Sequence, residues 1–324
     1  VVVTGAAGFL GTKLASRLLQ RKTLCGPDGD QEAIDEVLLV DTGCRDAPVS
    51  DARVKMASGD VSDAAFVRGI VDRDTGAIFH LAAVVSSAAE ADFDKGLRVN
   101  LDATRALLEA CRALPRVPRF IFASSLAVYG GEPRSSIDDD TALHPQTSYG
   151  AQKACCELLV NDYSRKGFVD GRAPRLPAIV VRPGAPNAAA STWASSIIRE
   201  PLAGKDVGCP VSPASTMLMM SARRAVSALE MMAEIPGAKL GSRRALCLPG
   251  ITVSAGEIHA ALSRIAGEAA ANRIQWAPDA AIQKIVDGWP GRIDAKRARA
   301  LGIEGDTGIE EIIAAYIRGQ PQAQ

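Results

Sequence analysis

The sequence predicts a doubly wound α/β fold, a mostly parallel sheet with helices on both faces, followed by a smaller C-terminal α/β unit. Three observations carry this expectation. Short runs rich in Val, Ile, Leu and Phe alternate with helix-period segments through the first half of the chain. Those runs are almost continuously apolar, as strands buried on both faces must be. A glycine-punctuated turn, "TGAAGFLG", joins the first run to the first helical pattern.

"VVVTG" at the start reads as the first strand, and Phe9 to Gln20 as a helix with Leu10, Leu14 and Leu18 at helical spacing. "EVLLVD" is the second strand, "VKMASGD" the third, and "AAFVRGIVDR" the next helix. "AIFHLAA" is the fourth strand, "GLRVNLDATRALLEACRAL" a long helix, and "RFIFASS" the fifth strand. A helix containing "SYGAQKACCELL" follows, and "AIVVRPG" reads as the sixth strand. Right-handed crossovers wind these strands into one sheet. After about Pro186 the pattern becomes an irregular mix, with "NAAASTWASSIIREPLAGK", "ALCLPG", "NRIQWAPD" and "IEEIIAAYI". The expected division is residues 1–185, rejoined by about 215–235, and a smaller unit over 186–324. The smaller unit is expected at the carboxyl ends of the strands, where ligands of such sheets bind.

Lys plus Arg and Asp plus Glu are each 37, so the formal charge is zero, which argues against a nucleic-acid partner. No apolar run is long enough to span a bilayer and no signal-peptide pattern opens the chain, so a cytoplasmic location is expected. Seven cysteines (25, 44, 111, 155, 156, 209 and 247) occur without a C-x-x-C and read as reduced thiols. The three histidines (80, 144 and 259) are widely spaced, so no metal site is expected.

Gly5, Gly8 and Gly11 punctuate the strand-to-helix turn as G-x-x-G-x-x-G. Residues without a Cβ let the backbone approach a pyrophosphate, and the helix N-terminus offers free N–H groups and a favourable dipole. Position directly after a strand is what makes the motif specific. Asp41 ends the second strand, where a carboxylate can accept both ribose hydroxyls of an adenosine and repel a 2′-phosphate. That favours NAD over NADP. The polar insertion "LCGPDGDQEAID" explains the long gap between the glycines and Asp41. Asp60 suits the adenine edge, although capping by Asp60 or Asp63 explains the same residues.

Tyr149 and Lys153 lie four residues apart, on one face of a helix. A free tyrosine has a pKa near 10, and a neighbouring ammonium favours the phenolate needed for a base at neutral pH. "FASSLAVYG" offers Ser124 and Ser125 as the hydroxyl that orients a substrate oxygen. Y-x-x-x-K alone is common on helices. Together with the serine pair and the glycine turn, it resembles the short-chain dehydrogenase/reductase superfamily. "HLAA", "RVNLDAT" and "SSLAVYG" resemble its extended, epimerase-like branch, with a Rossmann-type sheet.

That resemblance implies hydride transfer with Tyr149 as base, Lys153 as its tuner and holder of the nicotinamide ribose, and Ser125 as the oxygen-orienting hydroxyl. Ser124 is the second choice, and Tyr129 packs nearby. The cofactor surface is expected to include Phe9, Leu10, Val61, Leu81, Ala82, Ala83, Asn100 and Pro183. His80 is expected to be a core histidine. A homodimer through the long helices around Asn100 and Tyr149 is also implied by the resemblance.

Many nucleotide-sugar members carry an arginine before a later strand, and "STMLMMSARRAV" lacks it. "HLAAVVSSAAEADFDKGLRVN", "NDYSRKGFVDGRAPRLPAIVVRPGAPNAAAS" and "IIREPLAGK" resemble the D-erythronate dehydrogenase family, which implies a small sugar-acid substrate. Ser87 stands where that family is expected to have a glycine. Arg182 is the candidate for the carboxylate, because a guanidinium binds it bidentately; a structural ion pair is the competing role. Ser86, Ser87, Asn187 and Ser191 are candidate hydroxyl partners, and Arg199 a second anion contact. The alternatives are a nucleoside-diphosphate-sugar epimerase or dehydratase that never releases NADH, and a non-catalytic sensor of the dinucleotide. The sensor would have no need of all three of Ser125, Tyr149 and Lys153.

Overall fold

The computed structural model describes residues 1–26, 29–43, 49–131, 136–184 and 190–319. The chain divides into two compact units. The first comprises Val1–Tyr129, Leu143–Arg175 and Val226–Leu246; the second comprises Gly130–Ala142, Leu176–Ala225 and Cys247–Gln324.

The first unit is built on strands β1 (Val2–Thr4), β2 (Val37–Asp41), β3 (Val54–Ser58), β4 (Ala77–His80), β5 (Arg119–Phe122), β6 (Asp170–Leu176) and β7 (Ala245–Cys247). Their order across the sheet is β7-β6-β5-β4-β1-β2-β3. Pairing is parallel from β6 through to β3. The chain runs outward from β1 to β3 and then returns to the other side of β1 as β4. Strand order therefore reverses between β1 and β4, and the crevice at their carboxyl ends is where doubly wound sheets take ligands. The register places Thr4 beside His80 and Val40, and His80 beside Phe122.

Helices α1 (Phe9–Gln20), α2 (Ala64–Ile70), α3 (Ala103–Arg112) and α4 (Ser148–Arg165) belong to this unit. Leu14 and Leu18 of α1 are fully buried, as their spacing requires. Leu107 and Leu108 of α3 join Phe120, Phe122, Ile78, Cys156 and Val160 in one core cluster. The insertion before β2 forms a small antiparallel hairpin, Thr23–Cys25 with Gln31–Ala33. Ahead of α3 the helix widens into a π turn over Leu97–Asp102, which buries Asn100.

The sixth strand corrects the sequence-based expectation. "AIVVRPG" was expected there, but β6 is "DGRAPRL", and Ala178–Val180 pairs instead with Thr216–Ser221 in the second unit. The charges of β6 conceal it from a hydrophobicity reading. Arg172 and Arg175 are buried, which strand periodicity does not anticipate, because carboxylates neutralise them. Asp170 receives Arg172 at 2.8 Å, Arg244 at 3.0 Å and Arg119 at 3.4 Å. Arg119 donates to the carbonyl of Ala233 and Arg172 to that of Ile235, at the C-terminal end of helix α5 (Ala222–Glu234). Cations there satisfy orphan carbonyls and suit the negative end of the helix dipole.

In the second unit, Ala178–Val180, Thr216–Ser221 and Ile251–Ser254 form a three-stranded sheet. Helices Thr192–Leu202, Ala255–Ala266 and Ile309–Arg318 accompany it. Ser254 and Glu257 form a capping box at the start of Ala255–Ala266. Trp193, Ile197, Met217, Met219, Ile258 and Ile313 are in its core, so the methionines of "STMLMMS" serve packing. No helix among the described residues is long and apolar enough to cross a membrane.

Candidate active site

Gly5 adopts φ +70°, and a Cβ there would lie 2.7 Å from the Ala82 nitrogen. A Cβ on Gly11 would lie 2.1 Å from the carbonyl oxygen of Gly5. The turn is thus closed to side chains on both sides, against backbone that cannot swing away. Gly8 donates its N–H to the Gly5 carbonyl at 3.0 Å and ends the turn as the N-cap of α1. Phe9 and Leu10 follow in the first helical turn, whose N–H groups have no partner within the helix. This is a backbone cradle at a helix N-terminus, which fits a pyrophosphate.

Asp41 leans onto the cradle. Its Oδ2 accepts from the Ala7 N–H at 3.1 Å, and its Oδ1 from the Gly43 N–H at 3.3 Å. Oδ1 also receives the Thr42 hydroxyl at 3.5 Å, a bond that a ribose hydroxyl could replace, while Oδ2 keeps a second acceptor site. Asp60 accepts from the Ser62 N–H at 2.8 Å, which lowers its pKa, and Asp63 caps α2 through Ala65. Val61 is buried beside them.

Leu81, Ala82 and Ala83 leave β4 half-buried, directly against Gly5. Their path is held by neighbours: Leu81 donates to the Thr4 carbonyl and Ala82 to the Thr4 hydroxyl. Asn100 accepts from the Val84 N–H at 2.8 Å and donates to the Val84 carbonyl at 3.0 Å and to Gln152 at 2.7 Å. Its side chain clamps the segment after β4. Ser86 and Ser87 begin the helix Ser86–Ala91 beyond it, both half-buried. His80 is buried between Thr4 and Thr104, 2.7 and 3.1 Å from their hydroxyls, and burial holds its pKa down at about 3.

Helix α4 carries Tyr149 and Lys153. Thr147 caps it by accepting from the Gly150 N–H at 3.1 Å. A Cβ at Gly150 would lie 2.1 Å from the Ala127 carbonyl oxygen, so only glycine lets this turn pack on the 126–128 turn after Ser125. Lys153 is buried. Its Nζ donates to the Ala123 carbonyl at 2.8 Å and lies 5.6 Å from the centre of the Tyr149 ring and 4.4 Å from that of Phe122. Burial pulls its pKa down to about 8, and the Glu157 carboxylate opposes the fall. Tyr149 is half-buried.

The two serines differ. Ser124 is buried and donates to Glu157 at 2.5 Å. Ser125 is half-buried and accepts from the Ala127 N–H at 3.1 Å, which leaves its own proton to donate. Glu157 and Arg175, absent from the sequence-based list, form a buried bidentate ion pair at 2.7 Å behind Ser124. Arg175 also donates to the hydroxyl of Tyr129. The spacing Tyr149, Lys153, Glu157 at i, i+4 and i+8 is the signal that could have found Glu157.

In the second unit, Arg182 donates to the Ser191 hydroxyl at 3.1 Å, and its backbone N–H to Ser195 at 3.2 Å. Arg199 donates to the Arg182 carbonyl at 2.6 Å and pairs with Glu200 at 2.7 Å. Pro183 is exposed. Asn187 lies outside the described residues, as does Cys44.

Comparison with known proteins agrees with this geometry. The model of the NAD dependent epimerase/dehydratase family matches residues 1–214. The chain is 54% identical to the D-erythronate dehydrogenase of Cupriavidus necator over 98% of this chain and 97% of that one. It is 43% identical to the D-erythronate dehydrogenase of Haemophilus influenzae, over 98% of each chain. Among solved structures, the nucleoside-diphosphate-sugar epimerase from Agrobacterium tumefaciens superimposes with a TM-score of 0.93 at 41% identity, covering 98% of this chain and 93% of that one. The glycine cradle, the doubly wound sheet and these full-length similarities lead to one conclusion: the chain belongs to the NAD dependent epimerase/dehydratase family.

Proposed function

We propose that the protein is an NAD-dependent dehydrogenase that oxidises a hydroxyl of a small sugar acid, D-erythronate to 2-dehydro-D-erythronate. The observation that carries the chemistry is buried Lys153, which donates to the Ala123 carbonyl just past β5 and lies 5.6 Å from the centre of the Tyr149 ring. The substrate assignment is supported by 54% identity over nearly the whole chain to a protein of that name.

In this reading Ser125 donates a hydrogen bond to the substrate hydroxyl oxygen and fixes its position. Tyr149 takes the hydroxyl proton as the carbonyl forms. The Lys153 ammonium stabilises the Tyr149 phenolate that accepts this proton, and so keeps it a competent base near neutral pH. NAD, when bound, would supply the electron sink for the hydride of the carbinol carbon. Gly5, Gly8, Phe9, Leu10, Gly11, Asp41, Asp60, Val61, Leu81, Ala82 and Ala83 form the proposed cofactor surface, and Asn100 supports it by clamping Val84.

A sugar acid needs a cation. Arg182, which donates to Ser191, is the residue assigned that role, because a guanidinium can bind a carboxylate bidentately. Ser191 beside Arg182, and separately Ser87 at the start of its helix, are the hydroxyl partners proposed for the substrate. Cofactor binding and the reacting groups are assigned to the first unit, and the anion contact to Arg182 of the second. The reading includes a cytoplasmic homodimer paired through the helices around Asn100 and Tyr149, which sedimentation at graded concentration tests. The identity to a nucleoside-diphosphate-sugar epimerase keeps one second reading in view: such an enzyme would release no net NADH.

Tyr149→Phe tests the site. Turnover should fall by about 10²-fold or more, the scale of general-base assistance, with NAD affinity changed little. Wild-type turnover in that variant would refute the assignment.

A further inference from the structure

We propose that Glu157 is a positioning residue for the reaction, one carboxylate that ties the end of strand β5 to helix α4 and fixes Ser125 against Tyr149 and Lys153. The proposal rests on the Ser125, Tyr149 and Lys153 reading above.

Three residues of α4 meet the end of β5 and the turn that follows it. Gly150 packs on the Ala127 carbonyl, Lys153 donates to the Ala123 carbonyl, and Glu157 accepts from the Ser124 hydroxyl. Ser125 is covalently fixed between two of these contacts. Ser124, Glu157 and Arg175 are all buried, and no solvent loosens the tie. Arg175 holds Glu157 from behind with Nε and Nη2, and spends Nη1 on Tyr129, the residue that closes the turn after Ser125. Both ends of the segment 124–129 are thereby attached to one carboxylate–guanidinium pair.

Stability does not call for this chemistry. Burying two charges carries a desolvation penalty, and an apolar pair of similar volume would hold helix to sheet equally well. A carboxylate adds what an apolar residue lacks: a directional bond to Ser124 and a negative charge one turn from Lys153. The titratable and charged groups around Lys153 are His80 on β4, Tyr149, Cys156 and Glu157 on its own helix, and Arg175 on β6 behind Glu157. Burial keeps His80 neutral near pH 7 and raises the Cys156 thiol to about 11. Glu157 is therefore the anion that opposes desolvation of the Lys153 ammonium. Its removal should move the titration of Lys153 to lower pH.

The test uses the full chain with two variants. Glu157→Gln with Arg175→Gln removes both charges together and leaves no unpaired buried ion, and Ser124→Ala removes only the tie. The double variant should lose about 10- to 100-fold in kcat, the scale of a small misplacement, with KM for NAD and substrate within about threefold. In the cofactor-free protein, NMR of labelled lysine should show Lys153 titrating at lower pH than in the wild type. Ser124→Ala should lose kcat severalfold with the Lys153 titration unmoved. Wild-type kcat in Ser124→Ala, or an unmoved Lys153 titration in the double variant, would overturn the proposal. If Tyr149→Phe keeps full turnover, the site reading itself has failed. If Tyr149→Phe is inactive and these variants behave as wild type, only the role of Glu157 has failed.

Discussion

Gly5→Ala and Gly11→Ala probe the cofactor cradle at its most constrained atoms. Gly5 sits at φ +70°, and placing an L-residue in that region costs about 1–2 kcal/mol. Its new Cβ would also lie 2.7 Å from the Ala82 nitrogen and 2.9 Å from the Leu81 carbonyl carbon. Both are backbone atoms next to β4, so the strand end must retreat by several tenths of an ångström, an overpacking that costs about 1–3 kcal/mol. The sum, about 2–5 kcal/mol, is a large share of the 5–15 kcal/mol typical of a folded domain. At Gly11 the backbone angle is ordinary, yet the contact is worse, 2.1 Å to the Gly5 carbonyl oxygen, so α1 must tilt away from the turn. Gly69 in α2 is the control. A Cβ there meets nothing within 4 Å, and alanine should stabilise the helix by about 0.5–1 kcal/mol. Urea unfolding measures the stability terms and calorimetric titration measures NAD affinity. Both cradle variants should bind NAD at least tenfold more weakly, a loss of about 1.4 kcal/mol, and Gly69→Ala should bind it normally. A Gly5→Ala protein with the wild-type unfolding midpoint and NAD affinity would refute the steric account of the turn.

Two further predictions concern buried charge. Asp170→Asn leaves Arg119, Arg172 and Arg244 without their common anion and should cost about 3–5 kcal/mol, read as a lower thermal midpoint; an unchanged midpoint would deny that Asp170 neutralises them. His80 has a folded pKa of about 3 against 6.5 when unfolded, so the unfolded chain binds more protons between those values. Its contribution is intact above 6.5 and is lost as pH falls towards 3, with a slope of up to about 1.4 kcal/mol per pH unit. His80→Gln should flatten the upper part of that acid slope in melting experiments, and an unchanged slope would contradict the assignment.

The elements legible in the sequence are those whose function rests on local pattern. Apolar runs gave β1 to β5, and the glycine spacing located a turn that has no room for side chains at Gly5 and Gly11. Tyr149 and Lys153 could be paired because helical geometry alone brings i and i+4 together. Strand β6 was missed because Arg172 and Arg175 read as solvent-facing until their partners, Asp170 and Glu157, are in place. Asn100 read as a cofactor-side residue, whereas a π turn buries it on Val84 and Gln152, partners 16 and 52 residues away. Ser124 and Ser125 are identical and adjacent in sequence, and the long-range contact of Ser124 to Glu157 is what makes their surroundings differ.

The central claim is a net oxidation of a sugar acid, and the most direct measurement is NADH appearance with purified enzyme and NAD. D-erythronate should give sustained NADH formation among four- to six-carbon sugar acids, and UDP-sugars none. Interconversion of a UDP-sugar with no net NADH, together with no NADH from any acid in the panel, would contradict the account.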